Sequence, residues 1–338
     1  MSRVSHHWLA AFDRRGIRWV SFDPSTVPLN GHKSLIDLKL QRFVRPRLLE
    51  GDLLLVHEPL AGAFAKLGYP LVVFSHGIEQ RHDQISREHK ICPRNLKSII
   101  TFPLWERRRR STSFGLRNAD LVLVLNTSDE AFLRKVTYGR TKSFVYRNGV
   151  APIDRLKEYS ESKTLLFVGS WINRKGIGLL RIGYQNLRQR RNPPKWRFAG
   201  TQLDEETVRA YLGAENDVLV EVIPSFSAAE ESAVYANCGI LLLPSFMEGQ
   251  PLVLLEAMNR GLCCITTAAD GQKDLIRDVQ NGLLFPIGNS SEFIERIELA
   301  LNDDGLRTRL GRCAKNDVVG RSWSAVADEV VEQVLACG

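Results

Sequence analysis

Short apolar runs alternate with longer helical patterns along almost the whole chain, and no other sequence feature constrains the fold as strongly. In the first half the predicted strands are 17–22, 52–57, 70–75, 120–125 and 143–146, and the predicted helices include 35–49, 96–116 and 129–135. Strands this apolar on both faces are typical of parallel sheets covered by helices. The chain is therefore predicted to be an α/β protein with parallel sheets.

The alternation stops after residues 147–150, because residues 151–163 are polar and contain a proline. It resumes with predicted strands at 164–169, 196–200, 218–223, 239–243, 263–267 and 282–285. Two doubly wound Rossmann-like domains are therefore expected, one over 1–150 and one over 151–320. The closing segment, 321–338, is expected to contain a helix that crosses back to the first domain.

The start of the first domain departs from the usual doubly wound plan. Such a domain normally opens with a strand whose following glycine-rich turn lines the binding crevice. Here a helix-like segment, 8–15, leads directly into the predicted strand 17–22. The first domain is therefore expected to lack its opening strand.

The apolar content of the chain is that of a protein without a membrane span. No stretch of 18 apolar residues occurs, and residues 1–9 contain two histidines and an arginine where a signal peptide needs an apolar run. The predicted location is the cytoplasm, with peripheral attachment at the inner membrane face as an open alternative.

Positive charge is concentrated in the first half, which has a net charge of +12 against −4 for the remainder. Arg107 to Arg110 lie in a predicted helix together with Phe102, Trp105 and Phe114. This segment is either a solvated helix face or a surface that binds an anionic membrane. In the second case each cation contributes about 1 kcal/mol of binding free energy. Nucleic acid is a third partner for such charge, but no recognition motif accompanies it, and no nucleic acid is expected.

One candidate anion site follows the strand that ends at Gly169. The first turn of the next predicted helix contains Arg174 and Lys175. Cations at a helix amino terminus oppose the helix dipole by roughly 0.3 to 1 kcal/mol each, so their placement favours a bound anion. A solvated pair of cations is the alternative.

A second candidate follows the strand 240–243. Pro251 suits the first position of a helix, and no Ser, Thr, Asn or Asp precedes it as a cap, so the amides of Leu252 and Val253 are available to a phosphate. Glu256 lies about 7.5 Å further along the helix axis, a distance suited to ribose hydroxyls. Alternatively, Glu248 only opposes the helix dipole and Glu256 is an exposed helix residue.

These two segments resemble the retaining nucleotide-sugar glycosyltransferases of family 4. Glu248 and Glu256 match the Glu-x7-Glu motif of the family, within a stretch similar to EGxPxxxLEAM. Further matches follow in order at 148–150, 167–169, 174–176, 244–245, Gly261 and 281–286. The resemblance is specific for the second domain and looser before residue 140. It implies the GT-B fold, in which two Rossmann-like domains face a cleft.

The resemblance also implies a reaction and a set of residues. A sugar would pass from a nucleotide-diphosphate sugar to a glycan or lipid-linked acceptor, with retention and without a metal. Lys175 and Arg174 would neutralise the diphosphate, and Glu256 would hold the ribose hydroxyls. The expected catalytic residues are His76, Arg174, Lys175 and Glu248, and the expected donor-binding residues are Gly169, Ser170, Gly249, Gln250, Pro251, Leu252, Val253 and Glu256. His76 would face the transferred sugar, although a histidine at a strand end is often structural.

Some positions depart from the family. Ser170 stands where the family usually has Arg, and the GGxxE pattern is replaced by residues 270–274, Asp-Gly-Gln-Lys-Asp. No Asp-x-Asp pair or histidine spacing suits a metal site, and no resident cofactor is expected. Three alternatives therefore stay open: a non-catalytic nucleotide-sugar-binding protein or partner subunit, a sugar-nucleotide epimerase of the same fold, and a nucleic-acid-binding protein.

Overall fold

A computed structural model describes residues 3–22, 35–89, 102–152 and 162–338. The chain divides into two units, the first ending at Gly149 and continued by Trp323–Gly338, the second formed by Val150–Ser322. The expected boundaries were residues 150 and 320. Most of the polar segment 151–163 lies outside the described residues.

The first unit contains a parallel sheet of four strands, β1 to β4, in the order of the sequence. The strands are β1 Leu54–His57, β2 Leu71–Phe74, β3 Leu121–Val124 and β4 Lys142–Val145. The helices that precede or connect them are α1 Arg3–Arg14, α2 Ile36–Val44, α3 Ala61–Phe64, α4 Glu79–Glu88, α5 Phe102–Arg117 and α6 Thr127–Thr137. The central strands β2 and β3 are aliphatic runs buried on both faces, whereas the edge strand β4 is more exposed.

The second unit contains a parallel sheet of six strands in the order β10-β9-β8-β5-β6-β7. Its strands are β5 Leu165–Val168, β6 Trp196–Ala199, β7 Val220–Ile223, β8 Ile240–Leu243, β9 Cys263–Thr267 and β10 Leu283–Phe285. Its helices are α7 Ile177–Leu187, α8 Glu205–Leu212, α9 Glu231–Tyr235, α10 Leu252–Asn259, α11 Asp270–Leu275, α12 Ser290–Asn302 and α13 Asp304–Val318. Successive residues of β5 belong to different core clusters, which shows that both faces of the sheet are buried.

The last helix, α14, Trp323–Leu335, belongs to the first unit. Right-handed crossovers in a sheet with sequential strand order place the connecting helices on one face. The helices α1 and α14 pack against each other, and Trp8 of α1 makes edge contacts with the rings of Phe74 and Tyr146. The two ends of the chain therefore cover the second face of the first sheet.

The prediction of a strand at 17–22 is wrong. The described structure has no strand there, and Val20 is 71% exposed. The helix α1 ends at this point because Gly16 adopts φ +67°, and Ile17 donates its amide back to the carbonyl of Phe12. A β-branched composition favours a strand only where a neighbouring strand and a core can receive it.

Two predicted helices have different bounds in the structure. The helix predicted over 35–49 ends at Val44 and continues as a 3-10 turn, Arg45–Arg47, because Pro46 has no amide to donate. The helix predicted over 96–116 begins at Phe102, and residues 96–101 lie outside the described residues. No helix in the described ranges has the length and apolarity needed to cross a membrane.

Candidate functional site

Both candidate anion sites lie at the centre of the second sheet. Counted from β5, the strand order of this sheet is 3-2-1-4-5-6, so the direction of winding reverses between β5 and β8. Ligands of open α/β sheets bind in the crevice at the carboxyl ends of the strands on either side of such a reversal. The turns that contain Lys175 and Glu248 follow these two strands.

The turn after β5 requires glycine at two positions. Gly169 adopts φ +152°, and the aliphatic part of the Lys175 side chain passes 3.7 Å from where a Cβ on Gly169 would lie. After a 3-10 turn over Asn173–Lys175, Gly176 adopts φ +77° and is the N-cap residue of α7. A Cβ on Gly176 would lie 2.1 Å from the carbonyl oxygen of Pro244. The two turns can approach this closely only because residue 176 has no side chain.

The backbone of one turn is bonded to that of the other. The amide of Phe246 donates to the carbonyl of Arg174 at 2.9 Å, and the Arg174 guanidinium donates to the carbonyl of Met247 at 3.1 Å. These bonds fix where the side chains of the two turns meet.

Lys175 and Glu248 form an ion pair at this junction. The Nζ of Lys175 lies 2.7 Å from Oε1 of Glu248, and the two side chains are only 15% and 11% exposed. Arg174 approaches the second carboxylate oxygen at 3.6 Å. Two cations therefore face one carboxylate, which leaves the junction with a net positive charge suited to an anion.

The turn after β8 leads into α10, and no side chain caps that helix. Pro251 is the N-cap residue, and Leu252 and Val253 form the first helical turn, half-buried. Gly249 in this turn lies against α11. A Cβ on Gly271 of α11 would be 1.9 Å from the carbonyl oxygen of Gly249. The side-chain Oε1 of the buried Gln250 accepts a hydrogen bond from the guanidinium of Arg321 at 2.9 Å.

Glu256 lies in the second turn of α10 and is half-buried. Its Oε2 accepts a hydrogen bond from the hydroxyl of Tyr235 at 2.9 Å. The structure thus brings Lys175, Arg174 and Glu248 into contact and places Glu256 on the helix that follows the same turn. Ser170, half-buried directly after Gly169, accepts a backbone bond from Ile172.

His76 lies in the first unit, just after β2. Its Nδ1 lies 3.2 Å from the hydroxyl of Tyr146, which also donates to the carbonyl of Ser75. The ring of His57, at the end of β1, lies 5.5 Å from that of His76. Burial lowers the pKa of His57 to about 4 and lowers that of His76, so both imidazoles are neutral at pH 7.

Glu58 follows His57 directly and is a deeply buried carboxyl group, with 1% of its surface exposed. Burial and the nearby charge of Glu79 raise its pKa to about 8, against the opposing effects of the Glu79 amide and Arg108. Among the described residues its Oε1 has no hydrogen-bond partner. The side chain is therefore protonated at pH 7.

We expect Glu58→Gln to remove a pH dependence of stability. The folded-state pKa of Glu58 lies above the unfolded value of 4.5, so its contribution to stability is lost as pH rises towards 8. Between pH 6.5 and 8 the wild type should lose about 2 kcal/mol relative to the variant. Urea unfolding at several pH values measures this difference, with the exposed Glu50→Gln as control. A difference that does not change with pH would contradict the assignment.

The arginine run of α5 is bonded to carboxylates. Arg107 pairs with Asp37 at 3.2 Å and Arg108 with Glu79 at 2.8 Å. Arg109 and Arg110 both pair with Glu106, at 2.9 and 3.0 Å. The run is thus largely neutralised by its own unit, although Trp105 and Phe114 remain exposed. Binding to an anionic membrane surface stays a prediction.

The residues that support the site from a distance were not predicted from the sequence. Tyr235 lies 21 positions before Glu256, and Arg321 lies 71 positions after Gln250. Gln272 donates to Ser245 and Thr267 behind the turn after β8. No local pattern connects Tyr235 with Glu256 or Arg321 with Gln250. In the described ranges, no three His, Cys, Asp or Glu residues are grouped closely enough to hold a metal ion.

Residues 153–317 match the family model described as glycosyl transferases group 1. An uncharacterized glycosyltransferase of Haemophilus influenzae is 31% identical over 163 residues, covering 47% of this chain and 45% of the relative. The Campylobacter jejuni N,N'-diacetylbacillosaminyl-diphospho-undecaprenol alpha-1,3-N-acetylgalactosaminyltransferase is 29% identical over 131 residues, covering 37% and 31%. The alignments thus span less than half the length of these curated relatives.

Solved structures resemble the chain over most of its length. A sucrose-phosphate synthase from Thermosynechococcus elongatus superposes with a TM-score of 0.72 at 18% identity, covering 94% of this chain and 86% of that one. Anabaena HepE, solved in complex with UDP, superposes with a TM-score of 0.68 at 17% identity, covering 97% and 89%. The chain has the GT-B fold, and most of its second unit matches the glycosyl transferases group 1 model.

Proposed function

We propose that this chain is a glycosyltransferase that takes a sugar from a nucleotide-diphosphate sugar and transfers it with retention to a glycan or lipid-linked acceptor. The observation that carries the proposal is the junction of Lys175, Arg174 and Glu248 at the reversal of the second sheet. Two cations meet one carboxylate there, beside a helix start that no side chain caps. This combination suits a diphosphate.

The proposal gives each group a task. Lys175 and Arg174 neutralise the diphosphate and the negative charge that grows on it as the glycosidic bond breaks, so that side chains supply the stabilisation and no metal is required. The amides at the start of α10 bind the same group, and Glu248 orients Lys175 and accepts from the donor sugar. The leaving phosphate helps to deprotonate the acceptor hydroxyl.

Glu256 and His76 complete the assignment. A carboxylate accepts well from two vicinal hydroxyls, which is the task of Glu256 towards the ribose. His76, neutral at pH 7, can donate one hydrogen bond and accept another, and the family resemblance gives it a role towards the transferred sugar. HepE was solved with UDP, and the Campylobacter relative is named for an undecaprenol-diphosphate acceptor, which supports a nucleotide donor and a lipid-linked acceptor.

Nucleotide binding tests the proposal directly. A nucleoside diphosphate at 100 times its dissociation constant should stabilise the protein by about 2.7 kcal/mol in a thermal-shift screen of UDP, GDP, ADP and their sugars. Calorimetry on the best ligand should then show that Glu256→Ala weakens binding by about 1.5 to 3 kcal/mol. Glu295→Ala, on the exposed face of α12, is the matched control. Failure of every nucleotide to bind would overturn the proposal.

A non-catalytic nucleotide-sugar-binding protein is the second candidate, because Ser170 stands where the family resemblance implies an arginine. Slow hydrolysis of the donor sugar separates the two functions. A wild type that binds the donor and never releases its sugar, with or without acceptors, would favour the binding protein.

A further inference from the structure

Tyr235, the last residue of α9, is a buried titratable group to which the proposed mechanism gives no task. Only 3% of its surface is exposed, and its hydroxyl donates to Oε2 of Glu256 at 2.9 Å. Burial and the Glu256 carboxylate raise the pKa of this phenol well above its usual value. The hydroxyl is therefore protonated and able to donate at neutral pH.

Arg260, which is ion-paired with Glu231, holds the ring of Tyr235 in place. The guanidinium of Arg260 lies 4.3 Å from the ring centroid, within cation-π distance. The same guanidinium pairs with Glu231 at 2.9 Å, with both side chains less than a fifth exposed, and donates to the backbone carbonyl of Glu256 at 3.1 Å. Arg260 thus ties the first residue of α9 to α10.

This arrangement restricts the carboxylate of Glu256. A glutamate on a helix surface has three rotatable side-chain bonds, and ordering it on ligand binding costs conformational entropy. The Tyr235 hydroxyl, a hydrogen-bond donor fixed beside Oε2, removes much of that freedom before the ligand binds. Preorganisation of this kind increases affinity without adding a contact to the ligand.

We propose that Tyr235, held by Arg260 and Glu231, is a positioning residue that fixes the Glu256 carboxylate in the orientation that receives the two ribose hydroxyls. The inference rests on the proposed function, in which Glu256 binds the ribose. It adds a specificity: the site should favour ribonucleotides over nucleotides without ribose hydroxyls, and part of that preference should depend on a side chain that does not touch the nucleotide.

Tyr235→Phe tests the proposal because it removes only the hydroxyl group that contacts Glu256. UDP, GDP and ADP are titrated by calorimetry together with their 2′,3′-dideoxy counterparts. We expect Tyr235→Phe to weaken the ribonucleotide that the wild type binds best by about tenfold, and to change the affinity of its dideoxy counterpart less than twofold. The double variant with Glu256→Gln should lose no more than Glu256→Gln alone.

The same unit offers a matched control. Tyr184 also donates its hydroxyl to a carboxylate, that of Asp217 at 2.6 Å, and neither residue belongs to the candidate site. Tyr184→Phe should leave both nucleotide affinities unchanged. Glu231→Gln, which releases Arg260, should weaken the ribonucleotide two- to threefold in the same selective way, even if Tyr235→Phe is poorly folded.

The outcomes separate the inference from the function on which it depends. If Tyr235→Phe weakens the ribonucleotide and the dideoxynucleotide equally, or neither of them, while Glu256→Gln selectively weakens the ribonucleotide, the inference fails and the function stands. If the wild type binds no nucleoside diphosphate, the proposed function fails together with the inference.

Discussion

Replacing Lys175 by alanine should lower the rate of sugar release from the donor by about 10²- to 10³-fold. This is the usual effect of removing one preorganised hydrogen-bond donor that stabilises the charge of a transition state. Negative charge grows on the diphosphate as the glycosidic bond breaks, so Lys175 acts more strongly in the transition state than in the ground state. The dissociation constant of the nucleoside diphosphate should therefore rise by less than the rate falls. Single-turnover kinetics and calorimetry on the same protein measure the two effects.

Stability provides an internal check on this variant. Lys175→Ala leaves the poorly exposed carboxylate of Glu248 facing Arg174 at the longer distance of 3.6 Å. The free energy of unfolding should fall, and Glu248→Gln in the same chain should restore stability without restoring the rate. Lys195→Ala removes an exposed lysine just before β6, at the amino-terminal ends of the strands and away from the site. This variant should change neither the stability nor the rate. A Lys175→Ala enzyme with wild-type turnover would contradict the assignment.

Gly176→Ala should destabilise the second unit by about 2 to 5 kcal/mol. The added Cβ meets the carbonyl oxygen of Pro244 at 2.1 Å, where only a backbone shift can relieve the contact. The positive φ of +77° adds a penalty of roughly 1 to 2 kcal/mol for any L side chain. Because the shift separates the turn with Lys175 from the turn with Glu248, nucleotide affinity should fall as well.

Gly178 is the matched control for that substitution. It lies two residues further along, on the exposed face of α7, and a Cβ there meets no atom within 4 Å. Gly178→Ala should raise stability by about 0.5 to 1 kcal/mol, as expected inside a helix. Urea unfolding compares the two variants, and equal effects would show that the approach of Gly176 to Pro244 is not required.

Local sequence was sufficient for most strands because a parallel strand buried on both faces needs a continuous apolar run. The run Leu241, Leu242, Leu243 in β8 illustrates this, since all three side chains are fully buried. The same rule failed at 17–22, where Val20 is exposed and the described structure has no strand. Composition records which residues suit a strand, but the presence of a neighbour depends on distant parts of the chain.

The candidate site shows the same division. The Glu-x7-Glu spacing, the glycines and Pro251 could be identified in the sequence because the residues that form one turn or one helix start are adjacent. The charge of the arginine run could not be interpreted in the same way, because Arg107 meets Asp37 across 70 positions. A basic sequence becomes a basic surface only where the fold leaves its cations without carboxylate partners.

The sequence by itself determined the alternation of strands and helices, the two turns with their cations and carboxylates, and the family resemblance, because each depends on residues close together in the chain. Only the tertiary structure decided that Lys175 bonds to Glu248, 73 positions away, and that Tyr235 and Arg260 hold Glu256 in place. The reason is physical: hydrogen bonds and ion pairs act over about 3 to 4 Å, and the order of strands in a sheet determines which distant residues come that close.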